Sequence, residues 1–411
     1  IKMAKVWTVL VGCIGVLIGY LIGTSPSGVT PPLIPANSVL NDLAPPPWPV
    51  FRLGVAVNEF LVTAAKAATP PRLKVFDIAS SFYKSEVLYM LTYVGIIDLL
   101  GEKPRSCSQV ASDLQLYERA VCSFIVAGHH YQLLEQVVTG GENIYSLSEA
   151  GKLLQTNTKH SLRNMALMMN GVMKDAVRAA GLKSIRTGKD GFSEAYGESY
   201  WSWANKNPEE QKQFDYAMKE NTVQSAAAFL SDWAPSAGNI TFCDIAGGVG
   251  TMLSAVLEHY PEMSGIVFDQ PSVVKRSQEY LQTRGVSERA RAVAGSFFEA
   301  FPAELGSCDI FLLRNIIHDW GDESCVAILK NIKAVAKPGS KVIVVDVVRG
   351  IHGSVMEEAK AMLDVVMLAA NEFGAKERTI SEFSSLFDTA GYVNTLAHIP
   401  LRDIASVIEM K

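Results

Sequence analysis

TFCDIAGGVG, residues 241–250, is the stretch of the sequence that decides the fold. An apolar run ends in the acidic residue Asp244, and a turn of small residues with Gly247, Gly248 and Gly250 follows. A helical pattern begins directly after the turn. Glycines let a backbone approach a ligand closely, and the free N–H groups at a helix start favour electron-rich atoms. The stretch therefore predicts a buried strand, a tight turn and a helix N-terminus suited to a ligand.

Three interpretations of this turn compete. In the first interpretation, the stretch is an ordinary strand–turn–helix unit, because one glycine-rich turn is weak evidence for any ligand. It is a dinucleotide site in the second, although the GxGxxG pattern is absent. It is an S-adenosylmethionine site in the third, since Asp244 stands where an acid meets the methionine end of that cofactor. Asp269 ends a second apolar run nineteen positions after Gly250, where an acid holds ribose hydroxyls in nucleotide-binding folds. All three stay open at this point.

The composition argues against some classes of function. The 411 residues are enough for two or three domains with a large core. With 37 basic and 42 acidic residues and a net charge of −5, the chain lacks the basic excess of nucleic-acid-binding proteins. Its six cysteines show no CxxC pair and no zinc-like spacing, so we expect no metal site. We expect the cysteines to be small buried apolar residues of a reducing compartment.

The N-terminal residues predict a membrane anchor, residues 1–23. Residues 6–23 carry no charge and are mostly apolar, and eighteen such residues just suffice to span a bilayer. Gly15, Gly19 and Gly23 recur every four positions, as on the packing faces of membrane helices. A secretory signal is the alternative, but the run exceeds the usual apolar core of about 7–15 residues.

A proline-rich linker is expected over residues 24–50. It holds eight of the eighteen prolines, a density at which we expect neither a helix nor a central strand. The anchored protein would lie in an organellar membrane, either of the thylakoid or chloroplast or of the inner mitochondrial type. We expect the anchored protein to be a subunit of a larger membrane complex.

Residues 51–151 are expected to form a helical, winged-helix-like domain. Helical patterns precede two short strand patterns, residues 135–138 and 144–147, which flank two glycines. DNA binding is the rival function of such a domain, but its longer helix lacks a basic stripe. Residues 152–235 are helical and rich in aromatic residues and methionines, some of which we expect to line a substrate pocket.

Residues 236–411 alternate between strand and helix patterns, which predicts a doubly wound parallel sheet. The expected strands are residues 240–244, 265–269, 291–294, 309–314 and 341–347, with a closing pair at 392–399 and 405–410. Ligands of such sheets bind at the carboxyl ends of the strands. Four polar residues fall at these ends: Asp244, Asp269, Ser296 and Arg314. Their convergence is stronger evidence for a site than the glycine turn alone.

Further motifs follow in an order typical of one enzyme family. IIHDWGDE, residues 316–323, comes after the fourth strand, and GAKERT follows at residues 374–379. With DIAGGVG, FDQP, GSFF and FDYAM, these motifs resemble those of the plant-type small-molecule O-methyltransferases, the caffeic acid and acetylserotonin methyltransferase group. The resemblance covers roughly residues 75–411. It implies a Rossmann-like α/β methyltransferase domain with a seven-stranded sheet, S-adenosylmethionine as cofactor, a small hydroxylated acceptor and an N-terminal dimerisation domain.

The resemblance also implies roles for individual residues. His318 stands at the position of the family's general base, within a motif that includes Asp319, and Glu377 and Asp346 stand where two carboxylates flank it. The implied cofactor-binding residues are Asp244, Gly247, Gly248, Gly250, Asp269, Ser296, Phe297 and Arg314. The implied acceptor-positioning residues are Met218 and, after a one-residue insertion, Asn371. Histidine suits the role because it titrates near neutrality and a neighbouring carboxylate fixes its tautomer.

Three residues depart from the family pattern. Ala246 replaces the first glycine of the turn, a mild change if its φ is negative. Ser296 replaces an acid, which weakens the expected contact with adenine. Asp346 is one methylene shorter than the usual glutamate, which reduces its reach toward His318. None of them removes the base, but together they leave room for an alternative function, a catalytically weak or inactive accessory subunit of an organellar membrane complex.

Overall fold

The computed structural model describes residues 40–235, 238–351, 353–392 and 396–410. The predicted anchor and residues 24–39 of the predicted linker lie outside these ranges. Within the ranges, no helix combines the length and the apolar character that crossing a membrane requires.

The described helices and strands have the following bounds, in chain order. The helices are α1 (Trp48–Ala68), α2 (Pro71–Tyr93), α3 (Ile96–Glu102), α4 (Cys107–Leu114), α5 (Glu118–His130), α6 (Glu149–Lys152), α7 (Arg163–Asn170), α8 (Val172–Thr187), α9 (Gly191–Tyr196), α10 (Tyr200–Lys206), α11 (Pro208–Asp232), α12 (Thr251–His259), α13 (Pro271–Thr283), α14 (Asp322–Val335), α15 (Ser354–Ala370) and α16 (Ile380–Thr389). The strands are β1 (Leu134–Thr139), β2 (Glu142–Leu147), β3 (Thr241–Ile245), β4 (Ser264–Asp269), β5 (Ala290–Ala294), β6 (Ile310–Arg314), β7 (Lys341–Val347), β8 (Leu396–Pro400) and β9 (Ala405–Met410). Short 3-10 turns occupy Asn41–Leu43, Ala303–Ser307 and Ile317–Asp319.

The chain divides into two compact units. The larger unit comprises the described parts of residues 1–68, 180–200 and 222–411. The smaller unit comprises residues 69–179 and 201–221. Each unit is therefore assembled from segments that are separated in the sequence.

The smaller unit is helical and carries one β-hairpin. Strand β1 pairs antiparallel with β2 across the predicted pair of glycines, so the expected hairpin is confirmed. Its core contains fully buried apolar side chains from α2, α3, α4 and α5: Leu91, Ile97, Val110 and Ile125. The sequence of helices followed by the hairpin agrees with the winged-helix pattern.

The larger unit contains a seven-stranded sheet in the order β5-β4-β3-β6-β7-β9-β8. Strands β3 to β7 run parallel, and β9 lies antiparallel between β7 and β8. The strand order reverses between β3 and β6, and ligands of doubly wound sheets bind at such a switch point. The predicted doubly wound, seven-stranded sheet is confirmed. The expected strand at residues 392–399 begins only at Leu396, with residues 393–395 outside the description.

Four cysteines are paired, so the expectation that all six are independent apolar residues is wrong. Cys107 bonds to Cys122 with their Cα atoms 5.1 Å apart, and Cys243 bonds to Cys308 with a Cα separation of 5.9 Å. Both separations suit a disulfide. The sequence hid these pairs because their partners are 15 and 65 positions apart. Cys325 retains a buried thiol.

The segment just before α1 packs onto the larger unit. Leu40 is 4 % exposed within the core cluster on one face of the sheet. The guanidinium of Arg402 donates to the backbone oxygen of Pro46 at 2.7 Å and lies 5.4 Å from the ring centroid of Trp48. Because α1 begins at Trp48, the prediction that residues 24–50 form no helix is wrong for residues 48–50. Pro49 lies in the first turn, where its missing N–H has no helical partner to lose.

Candidate active site

The turn after β3 folds back over the carboxylate of Asp244. Gly247 permits this approach, because a Cβ atom there would lie only 2.7 Å from Oδ2 of Asp244. The backbone N–H of Gly248 donates to Oδ2 of Asp269 at 2.8 Å, at the end of β4. Gly250 then caps α12 with a left-handed φ of 87°. The turn thus brings together the two acids that the sequence assigned to the cofactor.

Asp244 is buried and incompletely hydrogen-bonded. It is 2 % exposed, and among the described residues its Oδ2 atom has no hydrogen-bond partner. Burial raises the pKa of Asp244 to about 7, while the charge of Arg314 opposes the rise. A buried oxygen without a donor is costly, so the site suits a ligand that brings an N–H group or a positive charge.

Ala246 adopts a left-handed backbone conformation, with φ at 54°. The expectation that its replacement of glycine is mild depended on a negative φ, so that expectation is wrong. A non-glycine residue in this region costs about 1–2 kcal/mol, because its Cβ approaches the following carbonyl oxygen. The turn still closes, and the Ala246 N–H donates to the oxygen of Phe268 at 2.7 Å.

Arg314, at the end of β6, is held by side chains of α11. Its guanidinium donates to Oγ1 of Thr222 at 3.0 Å and to Oγ of Ser225 at 2.6 Å. Burial lowers the pKa of Arg314, whereas the charges of Asp403 and Asp244 raise it. Arginine remains protonated in proteins, so this side chain keeps a fixed positive charge beside the glycine turn.

An aromatic cluster surrounds the residues that the resemblance assigns to adenine. The rings of Phe297 and Phe298 pack edge-on against Trp320, with centroids 5.6 and 4.8 Å away. Ser296 accepts the Phe298 backbone N–H at 3.2 Å and so stabilises the local turn. Sequence reasoning missed Trp320 as a site residue, although it lies within the HDWGDE motif.

His318 lies in the short turn Ile317–Asp319, directly after β6. Its Nδ1 atom is 3.0 Å from Oε1 of Glu377, a side chain without exposed surface. Its Nε2 atom is 3.6 Å from Oδ1 of Asp319, beyond normal hydrogen-bond distance. The contact with Glu377 therefore fixes the ring through one nitrogen and leaves the other for a proton.

Asp346 does not make the flanking contact that the resemblance implied. It is fully buried, and among the described residues neither carboxylate oxygen has a hydrogen-bond partner. It acts on His318 through its charge: burial lowers the histidine pKa, but the nearby carboxylates, Asp346 first, raise it to about 10. Burial raises the pKa of Asp346 and raises that of Asp319 to about 7. The carboxylates around the ring therefore favour the protonated imidazole.

The two expected acceptor-positioning residues lie in different units. Asn371 follows α15 in the larger unit, and its Nδ2 atom is 3.3 Å from Sδ of Met367. Met218 lies on the part of α11 that belongs to the smaller unit. Their joint role in binding an acceptor stays a prediction.

Comparison with known proteins decides the family. The profile of the O-methyltransferase domain matches residues 173–393, more than half of the chain. The chain belongs to the O-methyltransferase family. The profile of the O-methyltransferase dimerisation domain matches residues 76–157. This O-methyltransferase uses S-adenosylmethionine.

Individual relatives cover most of this O-methyltransferase. The phenazine O-methyltransferase PhzM of Lysobacter antibioticus is 30 % identical over 332 residues, which cover 79 % of this chain and 92 % of that protein. The crystal structure of LaPhzM aligns with a TM-score of 0.75 at 27 % identity over 83 % of this chain and 99 % of that one. Human N-acetylserotonin methyltransferase, solved with S-adenosylmethionine, gives a TM-score of 0.72 at 22 % identity, covering 84 % and 98 % of the two chains, and so shows the fold alone.

Proposed function

We propose that this O-methyltransferase methylates a hydroxyl group of a small molecule, with His318 as the general base. The observation that carries the proposal is the 3.0 Å contact between Nδ1 of His318 and Oε1 of Glu377. With Nδ1 bound to a carboxylate, Nε2 takes the hydroxyl proton as the oxygen attacks. Glu377 then stabilises the imidazolium that forms.

The residues around the glycine turn fit the cofactor. S-adenosylmethionine supplies an activated methyl group on a positively charged sulfur, and it also carries an ammonium group and ribose hydroxyls. Oδ2 of Asp244, which no described residue hydrogen-bonds, would hold the positive methionine end. Asp269 would hold the ribose, as an acid at this distance from the turn does in related folds. The aromatic cluster of Phe297 and Trp320 would border the adenine.

His318 must lose its proton before it acts as a base. Its pKa of about 10 reflects three carboxylates around one imidazole. A second positive charge bound in the same site favours the neutral imidazole, because like charges repel. We infer that His318 is an unprotonated base when S-adenosylmethionine occupies the site, and that it is protonated in the free protein.

We propose a ring hydroxyl as the acceptor. Curated relatives include a 3-amino-4-hydroxybenzoate 4-O-methyltransferase of Streptomyces cremeus and a desmethylxanthohumol 6'-O-methyltransferase of Humulus lupulus, each 27 % identical to this chain. A phenol has a pKa near 10 and so gives up its proton more readily than an alcohol does. Asn371, which follows α15 in the same unit as His318, would position such a ring.

Substitution of His318 tests the proposal. His318→Ala should bind S-adenosylmethionine as the native chain does but lose at least about a hundredfold in kcat, as expected for a lost general base. His130→Ala, which changes a histidine of α5 in the smaller unit, is the matched control and should alter neither quantity. Native turnover in His318→Ala would contradict the proposal. If the native chain gives no heat on titration with S-adenosylmethionine, the accessory-subunit alternative is favoured instead.

We also propose that residues 6–23 anchor the enzyme in an organellar membrane, as a homodimer or within a larger complex. The support is eighteen uncharged, mostly apolar positions with glycine at every fourth residue over 15–23. The native chain should remain with lipid during alkaline extraction of membranes. Ile14→Lys combined with Leu17→Lys should release it, because two central charges oppose insertion. Release of the native chain would contradict the anchor.

A further inference from the structure

We propose that Arg378 is a positioning residue for His318. Its guanidinium holds the backbone of the turn that carries the histidine, while the adjacent Glu377 holds the ring. The inference rests on the proposed role of His318 as the base, and it assigns a separate task to a residue outside that proposal.

Arg378 is almost completely buried, with 1 % of its surface exposed. Its Nη1 atom donates to the backbone oxygen of Ile317 at 2.7 Å, and its Nη2 atom donates to that of Trp320 at 2.8 Å. The Nε and Nη2 atoms also donate to Oδ1 of Asp322, at 3.2 and 2.6 Å. One guanidinium thus binds the chain on both sides of His318 and the start of α14.

These contacts require an arginine. The end of a helical turn leaves carbonyl groups without intrahelical partners, and leaving them unsatisfied when buried costs about 1–3 kcal/mol each. The thiol of Cys325 lies 3.3 and 3.4 Å from the same two carbonyl oxygens, but a thiol is a weak donor. The planar fork of a guanidinium reaches several acceptors at once, whereas a lysine ammonium is a point charge.

The segment that carries Arg378 is itself fixed in place. The Lys376 N–H donates to the backbone oxygen of His318 at 3.0 Å. The Glu377 N–H donates to Oδ1 of Asp364 on α15 at 2.8 Å. Arg378 forms a parallel bridge to the residue that follows β7. The ring contact of Glu377 and the backbone contacts of Arg378 therefore come from one segment tied to both a strand and a helix.

Loss of the Arg378 contacts should act on the chemical step. The carbonyl groups of Ile317 and Trp320 would lose their charged donor, and Nδ1 of His318 would move relative to Glu377. A displacement of about 1 Å at a reacting group is enough for a loss of roughly a hundredfold in rate. Cofactor affinity should change less than kcat. Asp244 and Asp269 lie on β3 and β4, away from the turn, and only Trp320 belongs both to the turn that Arg378 holds and to the aromatic cluster.

The variant Arg378→Lys keeps the positive charge and removes the fork. We expect kcat to fall at least about tenfold, and by more than the affinity for S-adenosylmethionine falls. Titration of His318, followed by NMR with labelled imidazole nitrogens, should move to lower pH, because a longer contact with Glu377 raises the histidine pKa less. Asp319 in its own turn and Asp346 on β7 also act on the ring. The charge of Arg378 lowers the pKa of Asp346, and the lysine keeps that charge.

The matched control is Arg284→Lys, which breaks an arginine fork that is half-buried. The Nε and Nη2 atoms of Arg284 contact Glu258 at 2.8 and 2.6 Å. Arg284 lies just after α13, and Glu258 lies on α12. The control should leave both kcat and the His318 titration unchanged. If Arg378→Lys also leaves both unchanged, the inference is overturned. A fall in kcat matched by a fall in folded fraction, with a native His318 titration, overturns it too.

A second variant and the NMR measurement each test the inference where Arg378→Lys kinetics alone would not. If Arg378→Lys does not fold, Asp322→Asn weakens the same guanidinium contact from its exposed side, and a native His318 titration there overturns the inference. The NMR measurement needs no turnover, so it separates this inference from the proposed function. Active His318→Ala with a shifted titration in Arg378→Lys would refute the general base and retain the positioning role.

Discussion

His318 and Glu377 form a 3.0 Å contact although they are 59 residues apart in the sequence. The carboxylate has no exposed surface, so water does not compete for the imidazole. A buried ion pair of this kind is costly to break by removing one partner only. The pair therefore fixes both the orientation and the charge of the ring.

Removal of the Glu377 charge should weaken catalysis without affecting the cofactor. Glu377→Gln keeps the shape and an acceptor oxygen, but it no longer stabilises an imidazolium. We expect kcat to fall by about 10²–10⁴, as when the acid of a histidine–carboxylate pair becomes an amide. Steady-state kinetics with calorimetric titration measure both effects. Glu258→Gln is the control, and equal turnover in the two variants would contradict the pairing.

Binding of S-adenosylmethionine should weaken as the pH falls. The raised pKa of Asp244, about 7, means that its carboxylate is charged at pH 8 and largely protonated at pH 6. The protonated form offers no negative charge to a cation, so the dissociation constant should rise by up to about tenfold per pH unit below this pKa. Calorimetry between pH 6 and 8 measures the trend.

Two variants assign this trend to its source. Asp244→Asn should bind weakly with a flattened pH dependence. Asp319 also has a pKa of about 7, but Asp319→Asn should keep the native dependence, because its carboxylate faces His318. A native affinity that is constant from pH 6 to 8 would contradict the proposed role of Asp244.

A glycine at position 246 should stabilise the protein. The left-handed conformation of Ala246 costs about 1–2 kcal/mol, and a glycine recovers this while adding roughly 0.4–1 kcal/mol of unfolded-state entropy. We expect a net gain of about 0.5–1 kcal/mol in the free energy of unfolding, measured with denaturant. Ala327→Gly, on the exposed side of α14, should lose about 1 kcal/mol. Destabilisation by both changes would show that residue 246 is not strained.

Much of the sheet could be predicted from the sequence. Residues 341–347 and 405–410 match β7 and β9 residue for residue, because buried strands appear as continuous apolar runs between turn signals. The contact between His318 and Glu377, unlike the strands, could not be predicted from a local pattern. No local pattern places two residues 59 positions apart in contact, and the expectation came from resemblance to a family.

The failures concern properties that arise only in three dimensions. The φ of Ala246 depends on how the turn closes over Asp244, which spacing does not specify. The short reach of Asp346 was read from the sequence, but not that its carboxylate oxygens lack hydrogen-bond partners in the described part of the chain. Arg378 lay within a quoted motif, yet its task depends on which carbonyl groups surround its guanidinium.

Leu40 bears on where this protein can be shortened. It lies 36 positions before the start of the recognised dimerisation domain at residue 76, yet it fills part of the core beneath the sheet. A shortened chain that starts at residue 76 would leave a leucine-sized void there and deprive Arg402 of the Pro46 oxygen and the Trp48 ring. Void formation of this kind costs about 2–5 kcal/mol. Trimming for crystallisation should therefore stop before Leu40.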